Sequence, residues 1–220
     1  CSKCYSYYTY QCDSLMASPN GDKLWDSFLV EAVGKGLKGK QLHNAIPHRR
    51  MSATIYKNYP QGKITVTDFL LGQYYLYEDA LNSQEWNIES DSMKVVLGHE
   101  CQKATCSFRG RKWTAWFALD VPVSEGPLKF CGLPGLIMEV YDRGKQYYFC
   151  INGMQQVSAT PITYGILDKD FKHFQKTDRK DFLLSKYRYL RNQNSINEAS
   201  TGISLGSVDE ALKYDLIEKE

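Results

Sequence analysis

Thr105-Cys106-Ser107-Phe108-Arg109-Gly110-Arg111-Lys112-Trp113-Thr114-Ala115-Trp116-Phe117 is the stretch whose reading settles the fold class. Two apolar, strand-like runs flank Arg109-Gly110-Arg111, the composition of a tight turn between antiparallel strands. In the second run Trp113 and Ala115 share one face of a pleated strand, and Thr114 and Trp116 share the other. A tryptophan on each face predicts a strand covered at least partly on both sides. Further along, Gly126-Pro127 and Leu133-Pro134-Gly135 punctuate the chain, proline fixing φ and glycine supplying the left-handed conformation after it. Leu136–Tyr141 resumes as a strand. Asp142-Arg143-Gly144-Lys145 is a hairpin turn into Gln146–Ile151.

Upstream the same grammar repeats. Cys4–Tyr10 alternates around tyrosines as a strand. Leu24, Trp25, Phe28, Leu29, Ala32 and Val33 recur at helical spacing, with Asp22 as cap and Gly34 and Gly36 closing the helix. Met51–Tyr59 and Lys63–Phe69 form a hairpin around Pro60-Gln61-Gly62. Gln73–Glu78, Glu85–Glu89 and Met93–Leu97 read as further strands. Past Ile151, Met154–Thr160 reads as a strand, and a helix runs from Asp178 to Leu190. Residues 192–206 are polar and loose, and Ser207 caps a last short helix. The expected fold is mainly β (α+β): a single antiparallel curved sheet or half-open barrel with two or three covering helices. It forms one domain over residues 1–220, with 192–220 a loosely packed end.

Composition narrows the classes of partner. A formal charge of +2 over 220 residues gives no footprint for nucleic acid or an anionic membrane. No apolar run approaches the ~18 residues of a membrane-spanning helix. There is no phosphate-binding loop, no nucleophile elbow and no His-Glu-x-x-His motif, and no cofactor is expected. Acidic pairs such as Glu78-Asp79 read as solvated turns. Seven cysteines cannot all pair within one chain. His99 and Cys101, two apart on one strand face, form with Cys131 a weak candidate set for zinc or copper. Packed cysteines are the commoner case. A thiol nucleophile would be Cys101, Cys106 or Cys131 with one of the four histidines as base, and nothing in the sequence fixes their geometry. The candidate ligand-binding residues are Arg109, Arg111, Trp113, Trp116, Leu133 and Pro134. With Lys112, the two arginines suit a carboxylate or phosphate, and the aromatics suit an apolar or peptide ligand in a sheet concavity.

Gly132-Leu133-Pro134-Gly135-Leu136-Ile137 resembles the signature of the bacterial GLPGLI family. Cys101–Thr105, Phe108–Arg111, Trp113–Phe117, Gly126-Pro127 and Glu85-Trp86 stand where that family's pattern has them, as do Ile55–Pro60 and parts of Ser2–Ser14. Cys131, Cys106 and Cys12 depart from the pattern. The resemblance implies a periplasmic or cell-envelope protein made with a signal peptide that is not present in this chain, of unassigned function and without catalytic residues to carry over. Cys4–Tyr10 resembles the family's second strand, so a further strand is expected upstream. A strand running straight through Ser2-Lys3 argues against a lipidated Cys1. The expected function is non-enzymatic binding of a partner protein or an apolar or peptide ligand, alongside an outer-membrane transport system. The alternatives are a cysteine-dependent hydrolase and a His/Cys metal-binding protein.

Overall fold

The computed structural model describes residues 2–5, 28, 30–37, 41, 45, 53–58, 60–154, 174–201 and 216–219. Its strands are β1 (Ser2–Tyr5), β2 (Thr54–Lys57), β3 (Lys63–Leu70), β4 (Gln73–Ala80), β5 (Asn87–Val96), β6 (His99–Phe108), β7 (Arg111–Ala118), β8 (Leu136–Asp142), β9 (Tyr148–Cys150) and β10 (Phe174–Lys176). One long helix, α1, spans Arg179–Thr201. The protein is mainly β, as its alternating patterns predict.

Three of the hairpins share one device. Leu71-Gly72, Leu97-Gly98 and Arg109-Gly110 all have positive φ at both residues. Each joins strands whose ends pair directly: Leu70 with Gln73, Val96 with His99, Phe108 with Arg111. That is the two-residue turn whose twist matches flanking strands. Glycine takes the second place freely, while leucine or arginine in the first is held there by the ladders on either side.

The strands divide into two five-stranded sheets, β1-β2-β3-β4-β10 and β5-β6-β7-β8-β9, rather than the single curved sheet or half-open barrel expected. The reason lies at β4. Its far edge is taken by β10, which returns parallel to it, so β5 cannot extend the first sheet and starts a second one. β10 is three residues long and carries no strand signature, which is why it was not anticipated. The segments read as two strands around Glu85 and Met93 are one strand, β5, with an irregularity between Glu89 and Met93.

One apolar core joins the two sheets. It takes Ile55, Ile64, Val66, Leu70 and Tyr77 from the first sheet and Ala104, Phe108, Trp113, Ala115, Phe117 and Val140 from the second. Trp113 and Ala115 point into it together, as predicted. Trp116, on the other face, packs against a second cluster of Val96, Cys101, Ala118 and Met138.

Residues 30–34 are helical. Gly36, with φ +72°, ends this turn. Leu37 N–H donates to Ala32 O and Gly36 N–H to Val33 O, the pair of bonds expected when glycine takes the left-handed position after a helix. Helix α1 starts where predicted and continues to Thr201, well past Leu190. Phe182 anchors it, its ring 5.5 Å from those of Tyr75 and Tyr77, and Lys186 reaches Asp68 at 2.5 Å. Once nucleated, a helix gains one bond per added residue, so polar Asn192–Thr201 is carried along. The expectation of a loose 192–220 is corrected over 192–201, which is helix, and over 216–219, which is tied to the core. The residues of the expected Met154–Thr160 strand beyond Met154, the helix at Ser207, and Cys1, Cys12, His43 and His48 lie outside the described residues. So do the side chain of Cys4 and most of the early helix.

Candidate functional site

The Gly126–Ile137 stretch is a loop locked by glycines and buried donors. A Cβ on Gly135 would sit 1.9 Å from the Ala118 carbonyl oxygen, and one on Gly126 would sit 2.9 Å from the Ile137 side chain and 3.1 Å from Phe130 O. Only glycine lets the backbone come this close. Gly132 has φ +90° beside the Trp86 ring. Leu133, between Gly132 and Gly135, and Ile137, just after them, drop into the core, while Pro134 stays exposed. The loop's carbonyls are taken by side chains: Trp86 Nε1 donates to Cys131 O at 2.8 Å, Gln84 Nε2 to Lys129 O at 3.1 Å, and Lys57 Nζ to Gly126 O and Phe130 O at 2.6 and 2.8 Å. Lys57 is a buried cation, and Glu125, 2.8 Å away, compensates it. A buried ammonium needs such a set of acceptors. The Gly-Leu-Pro-Gly-Leu-Ile run therefore acts in packing.

The same loop delivers Lys129 into a charged clamp at the β6–β7 turn. Lys129 Nζ lies 3.2 Å from Asp79 Oδ2 and 2.5 Å from Glu218 Oε1. Arg109 Nη2 donates to Asp79 Oδ1 at 2.5 Å, and Arg179 Nη1 to Glu218 Oε2 at 3.2 Å. Burial alone would raise the Asp79 carboxyl, but Lys129 and Arg109 beside it hold it below its ordinary value of 3.8. Burial, then the carboxylates of Glu218, Asp68 and Asp79, push the Tyr77 hydroxyl well above its ordinary value. The expectation that Glu78-Asp79 is a solvated turn is corrected at Asp79. The pair lies on β4, where alternation turns Asp79 inward and leaves Glu78 to pair with Lys63 outside.

Arg111 completes the clamp. Its guanidinium is buried against Asp142 at 3.0 Å and lies over the Tyr147 ring at 4.7 Å. It also donates to Ile217 O at 3.0 Å and Leu216 O at 2.8 Å. Lys219 N–H donates to Arg109 O at 3.1 Å. The two arginines of the turn thus hold a short piece of their own chain, Leu216–Lys219, which bends at Ile217. They read as a candidate site from sequence because arginine forks suit carboxylates and carbonyls; Asp79, Lys129, Arg179 and Glu218 were missed because topology alone brings them together.

At the other end of the second sheet, β5 has its alternation turned outward. Ile88 pairs with Ala104, and Met93 pairs with Gln102, which in turn pairs with Phe117. These side chains therefore share the face that carries the core. Yet Ile88 is 42% exposed, Met93 53% and Val95 65%. Glu89 and Lys94 take the opposite face, where Glu89 pairs with Lys103 at 2.8 Å and Lys94 with Glu139. Among the described residues β5 pairs with β6 alone, at the edge of its sheet.

The reactive candidates are dispersed. Cys101, Cys106, Cys131 and Cys150 carry free thiols. Burial raises the first three, Cys106 to about 12, so none of these three stands as a thiolate near neutral pH. His99 Nδ1 is 2.7 Å from Asp120 Oδ2, while Cys101 Sγ donates to the His99 carbonyl at 3.5 Å. Cys131 Sγ lies in the loop, 3.2 Å from Asn82 Oδ1. His99, Cys101 and Cys131 do not form one ligand set, and among the described residues no group of three or more His, Cys, Asp or Glu could hold a metal ion. Among the ligand candidates, Trp113 and Leu133 are core, Arg109 and Arg111 are the clamp, Trp116 is half-buried beneath Lys94, and Pro134 is at the surface.

The model of a family described as a protein of unknown function (Porph_ging) matches residues 109–139. No curated protein matches the chain. Two crystal forms of PNGF-II, in space groups P21 and C2, are each 15% identical to it, with TM-scores of 0.41 and 0.42, and cover 60% and 63% of this chain. The chain spans about a quarter of those structures' length, 24% and 25%. Over the turn, β7, the glycine-locked loop and the start of β8, the chain is similar to an uncharacterised family.

Proposed function

We propose that this is a non-enzymatic cell-envelope protein of the GLPGLI type that docks an extended, apolar segment of a partner protein along β5. The carrying observation is the open apolar row Ile88, Met93 and Val95 on an edge strand. Exposed apolar surface of this kind marks interaction sites. A strand added to a free edge gains main-chain hydrogen bonds while its alternate side chains reach the apolar row. The interior between the sheets is filled by Trp113, Phe117, Phe130 and Leu133, which favours an edge site over a ligand enclosed between the sheets. The buried thiols of Cys101, Cys106 and Cys131, raised by burial, and a His99 ring engaged by Asp120 favour binding over a cysteine hydrolase. The envelope assignment rests on the resemblance of the quoted Gly132–Ile137 signature alone, and an outer-membrane transport system is the class of partner it brings within reach.

The test is site-specific photocrosslinking in the native host, with the reactive side chain at position 93, 95 or 112. Positions 93 and 95 are expected to give one common protein adduct, recovered from the envelope fraction, and position 112 none. Absence of an adduct at 93 and 95, or an equal one at 112, would overturn the reading.

A further inference from the structure

The clamp at the β6–β7 turn has the parts of a peptide receptor. Arg111 reads two consecutive main-chain carbonyls, Leu216 O and Ile217 O. The turn offers a carbonyl of its own, Arg109 O, to the Lys219 N–H. These contacts read the main chain, which bends at Ile217, and are indifferent to its side chains. Two side-chain positions add selectivity: Ile217 packs on the core, and Glu218 meets Lys129 and Arg179. Gly110 makes room, since a Cβ there would lie 2.8 Å from Lys219 Cβ.

Charge says what the site requires. Arg111 is balanced by Asp142. Arg109, Lys129 and Arg179 face Asp79 and Glu218. Without Glu218, three cations would face one carboxylate at a largely buried position, so the site demands an anion. Its present occupant fits incompletely. Arg109 Nε is buried without a hydrogen-bond partner, 3.9 Å from Glu218 Oε2, so half of a fork that could grip a carboxylate in two places is unused.

We propose that Arg109, Arg111, Lys129 and Arg179 form a recognition site for a short partner peptide in which an apolar residue precedes an acidic one, and that Ile217-Glu218 fill it as a ligand in cis. The site lies at the opposite end of the second sheet from the β5–β6 hairpin and stands independently of docking at β5. A segment held in cis competes at an effective concentration in the millimolar range, so the site opens only to a better-fitting or more concentrated peptide.

The test uses the full chain and a fluorescent peptide with the sequence of residues 214–220, alongside a second peptide with glutamine in place of Glu218. In the Glu218→Lys chain the cis segment is repelled by Lys129 and Arg179. By fluorescence anisotropy, that chain is expected to bind the glutamate peptide at least about tenfold more tightly than it binds the glutamine peptide, and more tightly than the unchanged chain binds either. Equal binding of both peptides, or no binding by a chain whose circular dichroism is native, identifies a purely structural ion-pair network and overturns the proposal. Should Glu218→Lys fail to fold, amide exchange at Lys219 in the unchanged chain decides. It is expected to accelerate as glutamate peptide is added to about 1 mM. An unchanged rate overturns the proposal.

Discussion

At Gly135 a single methyl group is too much. The 1.9 Å approach to the Ala118 carbonyl oxygen means that Gly135→Ala must push β7 and the loop apart, at about 3 kcal/mol. Gly144→Ala, whose Cβ would find its nearest neighbour at 3.5 Å, is expected to stay within about 0.5 kcal/mol of the unchanged protein. Urea unfolding of both variants checks the contrast, and equal losses would refute the packing role given to the signature. This residue-level meaning was half legible. Leu-Pro-Gly announced a turn, but a close backbone approach leaves no trace in local pattern. The turn at Arg109-Gly110 was legible outright, because glycine between two strand-like runs has few other readings. Asp79 was misread because a carboxylate next to another carboxylate looks solvated until the strand beneath it is known to alternate.

Among the elements, β10 and the Leu216–Lys219 segment are held by long-range partners and had no local signal. A three-residue strand has too little pattern to announce itself, and Glu218 looks like any charged residue until Lys129 and Arg179 are seen around it. The strands with strong alternation or a glycine turn were legible, β6 and β7 above all. The irregularity in β5 hid its continuity, since residues 90–92 stand without a partner between Glu89 and Met93 and break the period on which strands are recognised. Arg111 is the pin between the β6–β7 turn and Leu216–Lys219. Arg111→Ala leaves Asp142 buried without its cation and two carbonyls without their donor, and is expected to cost about 3 kcal/mol. Measured by hydrogen exchange, it is also expected to free the Lys219 amide while leaving the β3–β4 ladder protected. Loss of protection across both sheets at once would show that the clamp and the sheets are not separable.

For the molecule as a whole, charge buried between the sheets makes stability depend on acid. The Asp79 carboxyl is held below 3.8 in the folded protein, so between the lowered and the ordinary value the unfolded chain binds the extra proton. Stability is therefore present above about pH 4 and is lost as pH falls through that interval. The urea midpoint is expected to drop as pH falls below about 4, and Asp79→Asn is expected to flatten that drop. A wild-type midpoint that stays level would show that Lys129 and Arg109 do not hold this carboxylate. The two-sheet division was beyond reach of sequence because it depends on which edge β10 occupies. The mainly-β character was not, because the aromatic strands and glycine turns impose it locally.

Function rests on whether the apolar row of β5 is truly outside the folding core. Changing Met93 and Val95 together to aspartate and following thermal unfolding asks this directly, with Val140→Asp as the comparison inside the core. The β5 pair is expected to melt within a few degrees of the unchanged protein, while Val140→Asp does not fold. If the β5 pair is as damaging as the core change, that face belongs to the protein's own interior and no partner docks there.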